Sequence, residues 1–309
     1  MSHVRLAAVA EADGRGGWQP NVDARMARLE SAVADVLEPH RERLAGAERV
    51  TIAPDAHYPF HPSTGVVTDP AVVGAVAAWL DRELGTGLAV VGRSDDRIAF
   101  DRTASYLGYD RLTDRFDAAL VDLADVPTRN EYRAAGGRSV ALSVPEPLLE
   151  STVIVVPSLR PTDGGTAAGA VRTLGRLVTS EADSARAAVA ATRSIDPELA
   201  VLDGTVAYGD DPVAANVLLS GSAPAVDAAA TSLFGREVDA DTALSPLLSD
   251  AERPVAVENP DEVDLSAIRE QLAGGRLPPT DDTHPAVSSV YRLYAAASGD
   301  AVPPQLEGQ

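Results

Sequence analysis

Two histidines stand four residues apart in the stretch Pro54–Pro70, which reads PDAHYPFHPSTGVVTDP. His57 and His61 share this stretch with Asp55, and imidazole and carboxylate groups together are common ligands of divalent metals. Prolines on both sides of the second histidine disfavour a regular helix, so the two rings would have to converge from an extended loop. Three interpretations stay open: a divalent-metal site formed by Asp55, His57 and His61, contact with an anionic substrate including an acid–base role, or a loop whose rings simply pack on neighbouring strand ends.

A second candidate site follows the apolar run Thr152–Val156 and reads SLRPTDGGT. Glycines expose backbone N–H groups, and the start of a following helix adds partial positive charge, which together favour an anion. Arg160 and Arg172 are expected to bind a carboxylate or phosphate of the substrate, with Thr162 and Thr166 supplying hydroxyl groups. The alternative is an ordinary glycine-containing turn between a strand and a helix.

Two aspartates complete the set of candidate chemical groups. Asp203 follows the apolar run Leu199–Leu202, where it is predicted either to act in catalysis or to cap its own turn. Asp227 is a lone acid in an apolar helix, so it needs a partner if it is buried. For Asp227 we favour a structural hydrogen bond to a backbone N–H group over a catalytic role.

Alternating strand-type and helix-type runs indicate how these residues are positioned. The pattern predicts a three-layer α/β fold, a mostly parallel sheet with helices on both faces, and the candidate sites at the carboxyl ends of its strands. We expect Arg129–Gly137 to be a polar loop. Residues 1–238 are predicted to form the α/β domain, and residues 239–309 a small C-terminal extension with helical signals near 265–272 and 287–297 and a disordered tail.

The composition excludes several chemistries. The chain of 309 residues has no cysteine, so we expect no thiolate nucleophile, no iron–sulfur cluster and no c-type haem attachment. All 26 basic residues are arginine, and without lysine a Schiff base with pyridoxal phosphate cannot form. The 46 acidic residues give a net charge of −20, typical of adaptation to a high-salt cytoplasm. The arginines are dispersed, so no nucleic-acid partner is expected.

The hydropathy pattern indicates where in the cell the protein is expected to be. No apolar run reaches the roughly 18 residues that a membrane-spanning helix needs, and the first residues do not have the pattern of a secretory signal. The sequence therefore predicts a cytoplasmic protein without a membrane partner.

Four segments in order resemble the DUF362 family of domains. Val50–Pro70 is similar to its opening strand, proline loop and T-D-P helix start, and Pro157–Gly175 to its P-K-x-K-T-H and following helix segment. Leu199–Gly204 is similar to its V-D-G strand, and Val217–Gly235 to its L-A-S-x-D-x-V-A-x-D … L-x-G segment. The resemblance spans roughly residues 48–236 and implies an α/β fold without settling an activity.

The chain departs from the family pattern at positions with chemical potential. Where the family pattern has Lys-Pro-Asn, this chain has Ala53-Pro54-Asp55. Where the pattern has Lys-Thr-His and Lys-Asn, the chain has Arg160-Pro161-Thr162 and Arg172-Thr173. Some members carry a ferredoxin-like module, which this cysteine-free chain cannot form. Two functional hypotheses follow. In the first, a small-molecule enzyme or binder of an anionic substrate, with or without a divalent metal, uses His57, His61 and Asp203. In the second, a catalytically degenerate relative acts as a binding or assembly protein.

Overall fold

The computed structural model describes residues 3–10, 22–96, 98–248 and 255–277. Within these ranges the chain forms the following strands: β1 (His3–Ala8), β2 (Arg49–Pro54), β3 (Gly87–Gly92), β4 (Ala119–Asp122), β5 (Thr128–Ala135), β6 (Arg138–Pro145), β7 (Thr152–Val156), β8 (Leu199–Gly204), β9 (Ala207–Tyr208), β10 (Pro212–Val213), β11 (Val217–Gly221) and β12 (Ala256–Glu258). The helices of the same ranges are α1 (Val22–Leu37), α2 (Arg41–Leu44), α3 (Pro70–Leu84), α4 (Phe100–Leu107), α5 (Tyr109–Arg115), α6 (Gly169–Leu177), α7 (Ser184–Ile195), α8 (Ala223–Leu233) and α9 (Leu265–Leu272).

One sheet of eight strands organises the molecule, in the spatial order β12-β1-β11-β8-β7-β2-β3-β4. Strands β8, β7, β2, β3 and β4 are parallel neighbours, whereas β11 runs antiparallel to both β8 and β1. The central strands are apolar and rich in β-branched residues, with Ile52 opposite both Ile154 and Val90. Such runs suit strands that are covered on both faces.

Successive residues of the central strands alternate between two apolar layers. Val50 and Ile52 face the layer that contains α1, α3 and α4, and Ala53 faces the layer that contains α6, α7 and α8. Helices therefore cover both faces of the sheet. This arrangement confirms the predicted three-layer α/β fold with a mostly parallel sheet.

The expectation of a loop at Arg129–Gly137 is wrong. Strand β5 pairs antiparallel with β6 along its whole length, with Tyr132 opposite Ala141, and Gly136 and Gly137 close the hairpin with φ values of 58° and 72°. Two successive residues with positive φ fit the right-handed twist of a hairpin. The side chains are polar because one face of the hairpin meets solvent, where Tyr132 is 66% exposed, and not because the backbone is unpaired.

The described part of the C-terminal extension lies against the sheet and its helices. Strand β12 pairs in parallel with β1, and α9 packs against α8. The predicted helix near 287–297 and the predicted disordered tail lie outside the described residues, so the boundary at residue 238 stays a prediction. In the described ranges, no helix combines the length and the apolar character that crossing a membrane requires.

Candidate functional site

The loop between β2 and α3 is closed at its two ends. The backbone N–H of Asp55 donates to Val156 O at the end of β7 (3.1 Å), and the N–H of Thr68 donates back to Asp55 O (2.9 Å). The hydroxyl group of Thr68 donates to the same Val156 oxygen (2.5 Å). This closure holds the loop over the carboxyl ends of the parallel strands, where α/β proteins bind their ligands.

Gly65 fixes the middle of this loop. It has a φ of +70°, and a Cβ added there would lie 2.6 Å from the carbonyl carbon of Ala207 and 2.8 Å from the backbone nitrogen of Tyr208. Only glycine allows this backbone conformation together with such a close approach. The loop is therefore docked on the segment that follows β8.

A buried ion pair connects the loop to the segment after β7. Arg160 donates from Nε (2.9 Å) and Nη2 (2.7 Å) to Oδ2 of Asp55. Both residues are buried, with 3% of Arg160 and 2% of Asp55 exposed. Burial by itself would raise the pKa of Asp55, but the Arg160 guanidinium and His57 outweigh it and hold that pKa well below its usual range. Asp55 is therefore a carboxylate at neutral pH and can only accept hydrogen bonds.

His57 is oriented by Asp55. Its Nδ1 lies 2.6 Å from Oδ1 of Asp55. Burial lowers the pKa of His57 to about 4, with Asp55 opposing this shift and Arg176 adding to it. The imidazole is thus neutral at pH 7, and since a carboxylate cannot donate, the proton is assigned to Nδ1. Nε2 then carries a lone pair, as in carboxylate–histidine pairs that bind ligands or accept protons.

The Nε2 atom of His57 is open to a ligand. Within the part of the chain that the structure describes, the hydrogen bonds of the His57 ring are confined to Nδ1, and 27% of the side chain is exposed. Arg176 contacts the same Asp55 side chain, with Nη1 3.5 Å from Oδ1 of Asp55 and 49% of its side chain exposed. The Nδ1–H donor of a neutral imidazole and a half-exposed cation thus approach the same carboxylate oxygen.

His61 takes a different role from His57. Its Nδ1 lies 2.8 Å from Oγ of Ser63 and accepts the Ser63 backbone N–H (3.2 Å), which caps the 3₁₀ turn Pro62–Thr64. Both oxygens of Asp55 are meanwhile engaged by His57 and Arg160. Among the described residues, no group of three or more His, Asp or Glu side chains is placed to hold a metal ion. The structure thus pairs Asp55 with His57 and holds Nδ1 of His61 within its own turn.

Asp203 lies in a second buried network and not beside His57. Its Oδ1 accepts the N–H (2.9 Å) and hydroxyl (2.7 Å) of Thr205, and its Oδ2 accepts the N–H of Asp69 (2.7 Å). Asp69 in turn caps α3 by accepting the Ala71 N–H (3.0 Å) and forms an ion pair with Arg25. Asp203 therefore both caps its own turn and fastens the start of α3 to β8.

Burial dominates the electrostatics of this second network. It raises the pKa of Asp69 to about 6, with Arg25 opposing the shift and Asp203 adding to it, and it also raises the pKa of Asp203. The hydroxyl group of Tyr109 is buried nearby and has no hydrogen-bond partner among the residues that the structure describes. Burial and the neighbouring carboxylates raise the pKa of Tyr109 well above its usual value, so the phenol stays protonated.

The side chains of the predicted anion-binding site, formed by residues 158–166 and Arg172, mostly contact other groups of the protein. Both terminal nitrogens of Arg172 lie 2.8 Å from the carboxylate of Asp241, so this arginine binds a side chain of the protein itself. The hydroxyl groups of Thr162 and Thr166 lie 3.1 Å apart, and Thr166 also contacts Asp241. Arg160 and Arg172, the two arginines expected to bind the anion, thus each have a carboxylate partner within the protein.

Asp227 has the structural role that we favoured. From α8, its Oδ1 accepts the N–H of Ala170 (2.7 Å) and its Oδ2 the N–H of Val171 (2.9 Å), so it caps the start of α6. Gly169, with a φ of +56°, leaves the space that the carboxylate fills. Backbone N–H groups at a helix start otherwise have no intrahelical partner.

Asp227 also makes stability depend on pH. Burial raises its pKa to about 7, although the two N–H groups oppose the shift. A raised acid pKa means that the folded state binds the proton more tightly, so this contribution is complete below the ordinary value of 3.8 and is lost as the pH rises to about 7. We expect Asp227→Asn to flatten the fall in the free energy of unfolding between about pH 4 and pH 7, measured by urea titration at constant high salt. Asp163→Asn, at an exposed position, is the control and should leave this pH dependence unchanged. If the free energy of unfolding of Asp227→Asn falls with pH as steeply as that of the wild type, this assignment is contradicted.

Three contributors were missed from the sequence. Arg176 lies one helical turn after Arg172, and this i, i+4 spacing was a usable signal that both face the same edge of the sheet. Arg25, in α1, and Tyr109, at the start of α5, reach the site from distant parts of the chain. No local pattern marks either residue.

The candidate site lies within a known family of domains. A family model described as "Domain of unknown function (DUF362)" matches residues 50–232, which include the ends of β2, β7 and β8. A search of curated proteins found no match. The matched residues form more than half of the chain and confirm the resemblance found in the sequence. The chain therefore belongs to the DUF362 family, whose domain has no established function.

Proposed function

We propose that the protein binds a small anionic molecule at the carboxyl ends of β2 and β7 and acts on it as an enzyme. One observation carries this proposal: Arg160 fixes Asp55, Asp55 orients a neutral His57, and the half-exposed Arg176 lies against the same carboxylate. Such a constellation supplies a charge for the anion and an unpaired acceptor for a reacting hydrogen.

The other predicted residues support this site from a distance. Asp203 acts as a positioning residue because its carboxylate holds the N–H of Asp69 and thereby the end of the loop. Arg160 positions Asp55, and Arg172 with Thr166 positions the start of α6 through Asp241. The divalent-metal version stays a prediction from the sequence, tested by metal analysis of protein purified in high salt.

A binding protein without turnover is the second candidate. It is favoured by one observation: Arg160 and Arg172, which stand at family lysine positions, are both used in internal ion pairs. The two candidates can be separated by NMR of an anion incubated with the protein. A chemical change that His57→Ala abolishes supports the enzyme, and a bound but unchanged anion supports the binding protein.

Calorimetric titration with succinate at constant ionic strength tests the anion site. We expect saturable binding that Arg176→Gln weakens about tenfold or more, since a charge-assisted hydrogen bond contributes about 1.5–3 kcal/mol. Arg82→Gln is the matched control because Arg82 is similarly exposed, at 54% of its side chain, and pairs with Glu83 on α3. No saturable binding, or equal weakening by both variants, would overturn the proposal.

A further inference from the structure

The ligand has to satisfy two neighbouring protein groups of different character. Nδ1 of His57 and Nη1 of Arg176 approach the same oxygen of Asp55, at 2.6 Å and 3.5 Å. The guanidinium has five N–H donors, and its long contact with Asp55 together with its 49% side-chain exposure leaves donors available. Nε2 of His57 is an acceptor in the neutral ring. The two side chains that contact Asp55 Oδ1 therefore offer positively charged donors, from Arg176, and one uncharged acceptor, from His57.

The surrounding charges limit the charge of the anion. The charged groups that act most strongly on Arg176 are Arg160, Asp55, Arg172 and Asp95. Two of these four are carboxylates, and the two arginines among them are already paired with Asp55 and Asp241. A group with a single negative charge suits such a balance better than a doubly charged phosphate, because each carboxylate repels the second charge.

We propose that the site binds a 2-hydroxycarboxylate, with its carboxylate on Arg176 and its hydroxyl group donating a hydrogen bond to Nε2 of His57. This inference rests on the proposed function and specifies the class of ligand. A carboxylate alone would leave the Nε2 acceptor without a donor once the ligand excludes water, which costs binding energy. A hydroxyl group on the carbon next to the carboxylate supplies that donor at short range.

Lactate and propionate form the matched pair of probes, because both carry a single negative charge and they differ by one hydroxyl group on the carbon next to the carboxylate. Calorimetry of the full chain at constant ionic strength should show the better enantiomer of lactate binding about threefold to tenfold more tightly than propionate, as expected for one hydrogen bond. His57→Ala should remove this preference, so that the two ligands bind with equal affinity. Equal affinities in the wild type, or a lactate preference that persists in His57→Ala, would overturn the inference while leaving the anion site intact. Failure of both probes to bind would instead overturn the proposed function.

A spectroscopic measurement on the wild type keeps the inference testable if the variant does not fold. The ¹⁵N resonance of the unprotonated His57 Nε2 should shift when lactate binds, because a hydrogen bond to the lone pair changes its shielding. Propionate should leave this resonance in place. Identical responses to the two ligands would contradict a hydroxyl contact at Nε2. Inorganic phosphate serves as a third arm, and tighter binding of phosphate than of lactate would contradict the carboxylate assignment.

Discussion

Replacing Arg160 by leucine is expected to lower the free energy of unfolding by about 3–5 kcal/mol, the usual cost of leaving one partner of a buried ion pair alone. Arg160 and Asp55 are both almost fully buried, and two guanidinium nitrogens lie on one oxygen of Asp55. In the variant, the carboxylate would keep His57 and the more distant, half-exposed Arg176. Urea unfolding at constant high salt measures the loss.

A second substitution tests whether the buried charge is the cause. Adding Asp55→Asn to Arg160→Leu should restore a large part of the lost stability, because no charge then remains buried without a partner. Arg82→Leu is the surface control and should change stability by less than about 0.5 kcal/mol. The idea fails if Arg160→Leu costs less than about 1 kcal/mol, or if the double variant is no more stable than the single one.

The loss should also depend on pH. The pKa of Asp55 lies below its ordinary value of 3.8 in the folded protein, so the stability that the ion pair contributes is present above about pH 4 and is lost at lower pH. Without Arg160, burial would raise the pKa of Asp55, so the variant would recover stability as Asp55 becomes protonated at falling pH. The difference between the wild type and Arg160→Leu should therefore shrink as the pH falls from 7 towards 4.

Gly169→Ala is expected to cost at least about 3 kcal/mol, since it combines a strained backbone with the loss of a buried helix cap. A Cβ at this position would overlap the carboxylate of Asp227, which accepts the N–H groups of Ala170 and Val171. Moving the carboxylate away would leave both N–H groups and the acid without partners. Urea unfolding and far-ultraviolet circular dichroism measure the effect.

Gly85→Ala is a closely matched control for this substitution. Gly85 has a φ of +59°, close to the +56° of Gly169, but in the described part of the chain no neighbouring atom lies within 4 Å of an added Cβ. It should therefore show the backbone strain alone, about 1–2 kcal/mol. Equal losses for the two variants would show that the contact with Asp227 is not what requires glycine at residue 169.

The sequence by itself determined the layers of the fold and assigned the candidate residues to one edge of the sheet. Apolar β-branched runs such as Thr152–Val156 indicate strands buried on both faces, and the Asp69-Pro70 pair indicates where α3 begins. Parallel strands place their carboxyl ends at one edge, so Asp55, Arg160 and Asp203 could be assigned to that edge without a structure. Each of these signals depends on residues that are neighbours in the chain, so it can be recognised without knowledge of the tertiary contacts.

Only the tertiary structure decided which of these residues contact one another. The Asp203 carboxylate accepts the N–H of Asp69 at the end of the loop instead of joining His57, and Arg172 pairs with Asp241, 69 residues further along the chain. Arg176, which composition and motif did not single out, lies 3.5 Å from the carboxylate that orients His57. A buried charge is bound to whichever opposite charge the packing brings within reach, often far away in the chain, and that choice depends on burial and distance.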